Sequence, residues 1–326
     1  MSSRSVRVEP GSTEDTMAPD GLTLFRRLIL CALLIMLPTG DLTAAQENND
    51  PTIYRLWYRN YDSPAVLAVL RLAFNKTPEY GPYEILRSPE MVQGRALVEM
   101  RESENPLVTI ANVATSPLRE STLYAVPLPI DGGLLGLRVC VVRQDRLAKF
   151  EGVENLDDMS ERNISIGQGT HWPDSDILKA NHLQVITHTR FESLFTMLRR
   201  NRFDCFARGV SEVLFDLERV QDVDLVIEPN LLLAYPMPSY FFVGPGDHDT
   251  AQRIELGLER AIADGSFARH LSTYYGRAVE SLRLGERRLL VLDNPLLSDD
   301  SAPIGRETLE TLQRRISSGL EAQTGH

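Results

Sequence analysis

From Thr52 onward, short apolar runs alternate with segments whose apolar residues recur every three or four positions. IYRLWY (53–58) predicts a strand. Asp62 and Ser63 are good caps, Pro64 suits a first helical position, and PAVLAVLRLAFNK then carries a helix. YEILR predicts a second strand, Ser88 and Pro89 the opening of a helix reaching about Glu102, and PLVTIANVA a third strand. Beyond the turn at Asp131, Gly132 and Gly133 the order resumes. LRVCVV, NISIG, LQVITH, FDCFA and DLVIE read as strands, and SDILKAN, FESLFTMLRRN and VSEVLFDLERV as helices. YFFVG is a further strand, followed by a helix from about Thr250 to Asp264, closed by Gly265. After Glu280 the chain mixes charge, Pro295 and an SDDSAP linker before a polar helix, ETLETLQRRISSGLEA, and this tail reads as a surface appendage.

The alternation predicts an α/β protein of two lobes, each a mostly parallel sheet flanked by helices, with a cleft between them. Lobe I is expected at 46–138 plus 232–279, lobe II as an insertion at 139–231, and the tail at 280–326. Hinges are expected near Val139 to Arg143 and Ile227 to Tyr235. Strand ends and helix N-termini around such a cleft favour anionic or polar ligand groups.

The preceding segment changes the compartment. Arg26 and Arg27 lead an apolar run from Leu28 to Leu37, then Pro38, Thr39, Gly40 and the small residues of LTAA. This has the form of a secretory signal peptide over 1–45, and Met17 serves equally well as its start. Ten apolar residues fall short of the roughly 20 that span a bilayer. Cys31 lies inside the run behind Leu30, which argues against lipidation. The mature chain is thus expected to be periplasmic, soluble and monomeric.

Charge narrows the partners. The 326 residues carry a formal charge of −11, and removal of 1–45 leaves 30 basic against 40 acidic residues. That balance argues against nucleic acid, whose binding needs a basic face. The two remaining cysteines, Cys140 and Cys205, sit in apolar strand-like runs and read either as buried inert thiols or as one disulfide.

Four segments in order carry a resemblance: TSPLRES (115–121), GQGT (167–170), LRRNRFD (198–204) and DGSFARHLSTYYG (264–276). Over roughly 52–276 the chain resembles periplasmic solute-binding protein family 3, with its type 2 periplasmic-binding-protein fold. The resemblance implies capture of a small solute, often an amino acid, by lobe closure, with a membrane permease of an ATP-driven importer or a signalling receptor as partner. It implies that Arg119 clamps a ligand carboxylate, helped by a hydroxyl of Thr115 or Ser116 and by Thr170. A guanidinium fork suits that bidentate contact. It also implies an aromatic over the ligand at the end of the first strand, where Tyr61 is the preferred contact over Trp57 and Tyr58. One position departs: the family's ammonium-binding Asp falls at Gly209, with Arg208 beside it. A buried ammonium without that carboxylate is costly, so the ligand is expected to be anionic rather than a standard α-amino acid. Arg208 offers a second cation for it, or a partner for Glu212 on the next helix turn.

HWPDSD (171–176) gathers a His and two carboxylates, but Asp174 and Ser175 read better as caps and Trp172 as a cleft wall, so no metal site is expected. Gly-x-Ser-x-Gly, His-Glu-x-x-His and a phosphate-binding Gly-Lys-Ser/Thr loop do not occur. No cofactor and no catalytic residue are assigned, leaving a binding protein first, a ligand-sensing module second and a periplasmic enzyme on the same fold third.

Overall fold

The computed structural model describes residues 50–324, with side chains in the last helix as far as 314; the signal segment and both start positions lie outside the described residues. β1 (Thr52–Leu56) buries Tyr54 and Leu56 on one face. It ends earlier than its apolar pattern predicts. The indole of Trp57 donates to the Met91 carbonyl at 3.0 Å, the Tyr58 N–H donates to Ser88 Oγ at 2.9 Å, and the chain turns into α1 (Tyr58–Tyr61). Ser88 is thereby tied to the end of β1 instead of capping a helix. Ser63 does cap α2 (Pro64–Asn75), and after β2 (Tyr83–Arg87), α3 (Gln93–Glu102) starts later than predicted. β3 (Ile110–Ala114), α4 (Pro117–Thr122) and β4 (Tyr124–Val126) follow.

Across the segment expected as lobe II come β5 (Leu137–Arg143), α5 (Leu156–Glu161), β6 (Ser165–Gly169), α6 (Asp174–Ala180), β7 (Gln184–His188), α7 (Phe191–Arg199), β8 (Cys205–Gly209), α8 (Val213–Val220), β9 (Leu225–Ile227) and β10 (Leu231–Ala234). β11 (Ser239–Val243), α9 (His248–Ala263), α10 (Ser266–Ser281), β12 (Arg288–Val291) and α11 (Ser301–Thr324) complete the described chain.

Two sheets result. The first has the order β2-β1-β3-β11-β4 and the second β12-β10-β5-β8-β6-β7, with β9 on β5. Both are mixed rather than mostly parallel. β11 runs antiparallel to β3 and β4, and β5 antiparallel to β8 and β10, because these strands enter as the chain crosses between lobes. β5 is covered on both faces: Val139 and Val141 enter one core cluster with Phe195 and Phe206, while Cys140 and Val142 enter another with Ile166 and Ile177. That is why its sequence reads as a continuous apolar run.

Three sequence expectations change here. Cys140 and Cys205, on neighbouring strands β5 and β8, form a disulfide, so they are not inert thiols. The segments expected as hinges are strands inside the second sheet. The chain crosses between sheets at 127–136 and 235–238 instead. Finally, the tail is not an appendage: β12 pairs in parallel with β10, burying Leu290 and Leu292, and so brings the chain into the second sheet a second time, its third passage between the sheets.

Candidate functional site

The ends of β3, β6 and β8, the 127–136 crossing and the N-terminal parts of α1, α3 and α8 enclose a cavity of about 130 Å³. It lies between residues of the two sheets. Its cationic walls are Arg59, Arg119, Arg138 and Arg208, and its acidic walls Asp131, Asp174, Glu212 and Asp216.

Arg119 is placed by α4, whose Ser116 hydroxyl accepts from the Arg119 N–H at 3.4 Å. Its side chain is 6% exposed. Nη1 donates to the Ala114 carbonyl, and Nη2 donates to Gln93 Oε1 at 2.6 Å and to the His171 carbonyl at 2.7 Å, the last reaching from lobe I to lobe II. It forms no ion pair with a carboxylate among the described residues. Burial therefore pulls the guanidinium down to about 10, with the more distant Asp174 opposing.

The lobe II arginines stand differently. Arg138, on β5, pairs with Asp174 at 2.7 Å and Glu212 at 3.4 Å. Asp174 Oδ1 also accepts from the Tyr235 hydroxyl at 2.7 Å. Arg208, on β8, donates through Nε to Asp216 at 2.8 Å and through Nη2 to Asp216 and Glu212 at 2.7 and 3.0 Å. Its guanidinium lies 5.0 Å from the Trp172 ring and 5.1 Å from Phe191. Burial works against charge on both arginines, yet the carboxylates outweigh it and raise both. Burial likewise works against the Glu212 carboxylate, and Arg208 and Arg138 outweigh it and hold it low. Burial, and with it the neighbouring Glu212 carboxylate, pushes Asp216 up, but with two Arg208 N–H groups at 2.7–2.8 Å the pair is best described as ionised.

Position 209 explains part of this. A Cβ there would sit 3.0 Å from Glu212 Oε2 and 3.0 Å from Arg138 Nη1. Glycine leaves room for the pair, and Glu212 puts a carboxylate in the space that an Asp side chain at 209 would take. The expectation that this part of the cleft lacks a carboxylate is thus corrected. So is the reading of Arg208 as a second free cation, because its charge is met by Asp216 and Glu212.

Asp131, on the first crossing, accepts from the Gly133 and Leu135 N–H groups at 3.0 and 2.8 Å and from Ser211 Oγ at 3.1 Å. Burial pushes its carboxyl up to about 6 against those donors. Arg59 closes the cleft from lobe I: it lies 3.7 Å over the Phe191 ring and pairs with Glu192 at 3.4 Å and Asp216 at 3.6 Å.

Of the residues expected at the site, Arg119, Arg208 and Trp172 line this cavity. Thr170 lines a smaller neighbouring cavity with Trp57, Tyr58 and Phe191. Thr115 is turned away, its hydroxyl donating to Glu120, and Ser116 is spent on the α4 cap. Tyr61 packs on the lobe I core with Leu70 and Phe74, because one turn of α1 rotates it off the strand end. Asp174 and Ser175 do not cap α6: Asp174 serves Arg138 and Tyr235, and the Ser175 hydroxyl donates to the Gly169 carbonyl at 3.1 Å. Among the described residues no group of three or more His, Cys, Asp or Glu is placed to hold a metal ion.

No family model and no curated protein matches the chain. Solved structures do. An ancestral arginine-binding protein bound to glutamine is 12% identical, with a TM-score of 0.52 over 70% of this chain and 99% of that one. An amino acid ABC transporter substrate-binding protein from Streptococcus pneumoniae, bound to L-arginine, is 9% identical, with a TM-score of 0.52 over 69% and 94%. A structure from a study of glutathione import by GshT and the cystine importer TcyBC of Streptococcus mutans is 11% identical, with a TM-score of 0.51 over 70% and 96%. The chain therefore has the two-lobe fold of substrate-binding proteins. No helix among the described residues is long and apolar enough to cross a membrane.

Proposed function

We propose that this protein is an exported solute-binding protein that closes its lobes on one small, carboxylate-bearing ligand and hands it to a membrane permease of an ATP-driven importer. The observation that carries the reading is Arg119: a buried guanidinium with no carboxylate partner among the described residues, on the wall of an interlobe cavity. A ligand carboxylate supplies the missing charge, and lobe closure strengthens the contact by excluding water. At about 130 Å³ the cavity suits a compact ligand. Because Arg138 and Arg208 are already paired, the reading narrows to one anionic group rather than several.

The likeness of fold to substrate-binding proteins supports this role. A sensing role draws on one feature, the chain's third passage between the sheets, which brings β12 into lobe II. Neighbouring genes for a permease and an ATPase favour import, and a neighbouring membrane kinase or cyclase favours sensing.

A thermal-shift screen of the chain from Gln46 tests the reading, using monocarboxylates, amino acids, dicarboxylates and neutral sugars. At 100 times its Kd a ligand adds about 2.7 kcal/mol, a rise of roughly 5–10 °C. A monocarboxylate or amino acid is expected to give the largest shift. A largest shift from neutral sugars, or none from any compound, contradicts it.

A further inference from the structure

The chain after α10 touches both lobes and both crossings. In lobe II, β12 extends the second sheet through β10, and Asn181, at the C-terminal cap of α6, holds the Asp293 backbone by two hydrogen bonds of 2.8 and 3.1 Å. Asn294 Nδ2 then donates to the Pro236 carbonyl at 2.7 Å, on the second crossing. α11 runs over both crossings. A Cβ at Gly305 would stand 3.0 Å from Pro236 Cβ, and one at Gly133 would stand 2.1 Å from Thr308 Cγ2. Along the same helix, Ile304 packs on the lobe I cluster of Tyr240 and Phe242, while Leu309 and Leu312 join a cluster built mainly of lobe II residues such as Leu137, Phe195 and Phe206, with Tyr275 and Ala278 of α10 also in it.

The polar anchor of this segment falls beside the ligand-facing arginine. Ser301 Oγ donates to Glu120 Oε1 at 2.7 Å and lies 3.3 Å from the Tyr240 hydroxyl, and Ser298 Oγ donates to Glu120 Oε2. Glu120 also accepts from Thr115. Glu120 follows Arg119 on α4, so one six-residue helix carries the cavity's unpaired cation on one side and the tail's anchor on the other.

We propose that β12 and α11 form a strap that restrains lobe opening, and that Ser298 and Ser301, through Glu120, are positioning residues for Arg119. The two crossings alone leave the lobes free to hinge about 127–136 and 235–238. The strap adds a third connection, fastened by sheet pairing in lobe II and by the Glu120 cluster in lobe I. Opening the cleft then requires α11 to leave one lobe's apolar cluster or the serines to leave Glu120. This holds whatever ligand the cleft takes, so it stands or falls separately from the function proposed above.

Spin labels at the exposed positions Glu104 in lobe I and Glu161 in lobe II report lobe separation in the full mature chain. Phenylglyoxal labelling read residue by residue reports access to Arg119. Ser298→Ala/Ser301→Ala removes the polar anchor, and Leu309→Glu separately lifts α11 from lobe II. A melting curve confirms that each variant is folded. Both variants are expected to give longer, broader label distances than the wild type and at least a several-fold faster reaction at Arg119. Wild-type distances together with wild-type protection of Arg119 in both variants would overturn the proposal.

Discussion

The two walls of the cleft use the same residue in opposite ways. On the lobe I wall Arg119 is buried against two carbonyls and one amide oxygen, with no carboxylate among the described residues to balance it. On the lobe II wall Arg138 and Arg208 share Asp174, Glu212 and Asp216. Burial lowers the first guanidinium, whereas the partners raise the other two. An arginine in a cleft thus recruits an anion only when the protein has not already supplied one. Counting arginines in the sequence overstates the positive charge open to a ligand.

Exchanging the two kinds of arginine for an isostere without charge gives the largest effect. Arg208→Met takes the closest cation from Asp216 and Glu212, leaving them only Arg59 at 3.6 Å and Arg138 at 3.4 Å, and is expected to cost about 3–5 kcal/mol. Arg119→Met strands only neutral oxygens, and since the buried charge goes with it the loss should be smaller, about 1–3 kcal/mol. Urea melts compare them, and equal losses would erase the distinction between the walls.

The disulfide lies wholly in lobe II and closes a 65-residue separation. Loop-closure entropy puts its contribution at about 4 kcal/mol, so Cys140→Ala/Cys205→Ala should lower the urea midpoint markedly. An unchanged midpoint would mean that lobe II packing alone sets its stability.

On the lobe I side, His270 of α10 is buried, with Nε2 lacking a partner and its ring against Phe267 and Tyr274. Burial lowers it from 6.5 to about 4. A base depressed by folding leaves stability intact above pH 6.5 and erodes it as the pH falls toward 4, by up to about 3 kcal/mol. Stability measured against pH should show this slope, and His270→Phe should flatten it.

The smallest effect is a control. Asn155 caps α5 in a capping box with Asp158. Asn155→Ala should cost about 1 kcal/mol and leave ligand affinity unchanged. A loss of affinity would tie the cleft to a distant cap that the present account treats as local.

The element order was legible because strands such as β5 are buried on both faces and read as unbroken apolar runs, while α2 and α7 show the helical period. β12 was not. RRLLVL is short, flanked by charge and by a proline, and only its pairing with β10 distinguishes it from a tail. At the candidate site, Arg119 was named from its motif, and it lines the cavity. Arg138 was missed because inside LRVCVV it reads as a strand's polar interruption, and Asp174 because a carboxylate ahead of a helix reads as a cap. Glu212 fills the space beside Gly209 from the following helix turn, a relation that holds in space and leaves no mark in local spacing.

The most direct test is calorimetric titration of the best carboxylate from the screen into the wild type, Arg119→Met and Arg208→Lys. The account predicts a Kd raised about 30-fold or more in Arg119→Met, from the loss of at least about 2 kcal/mol, and within a few-fold of wild type in Arg208→Lys. An unchanged Kd in Arg119→Met, or a larger loss in Arg208→Lys, would contradict it.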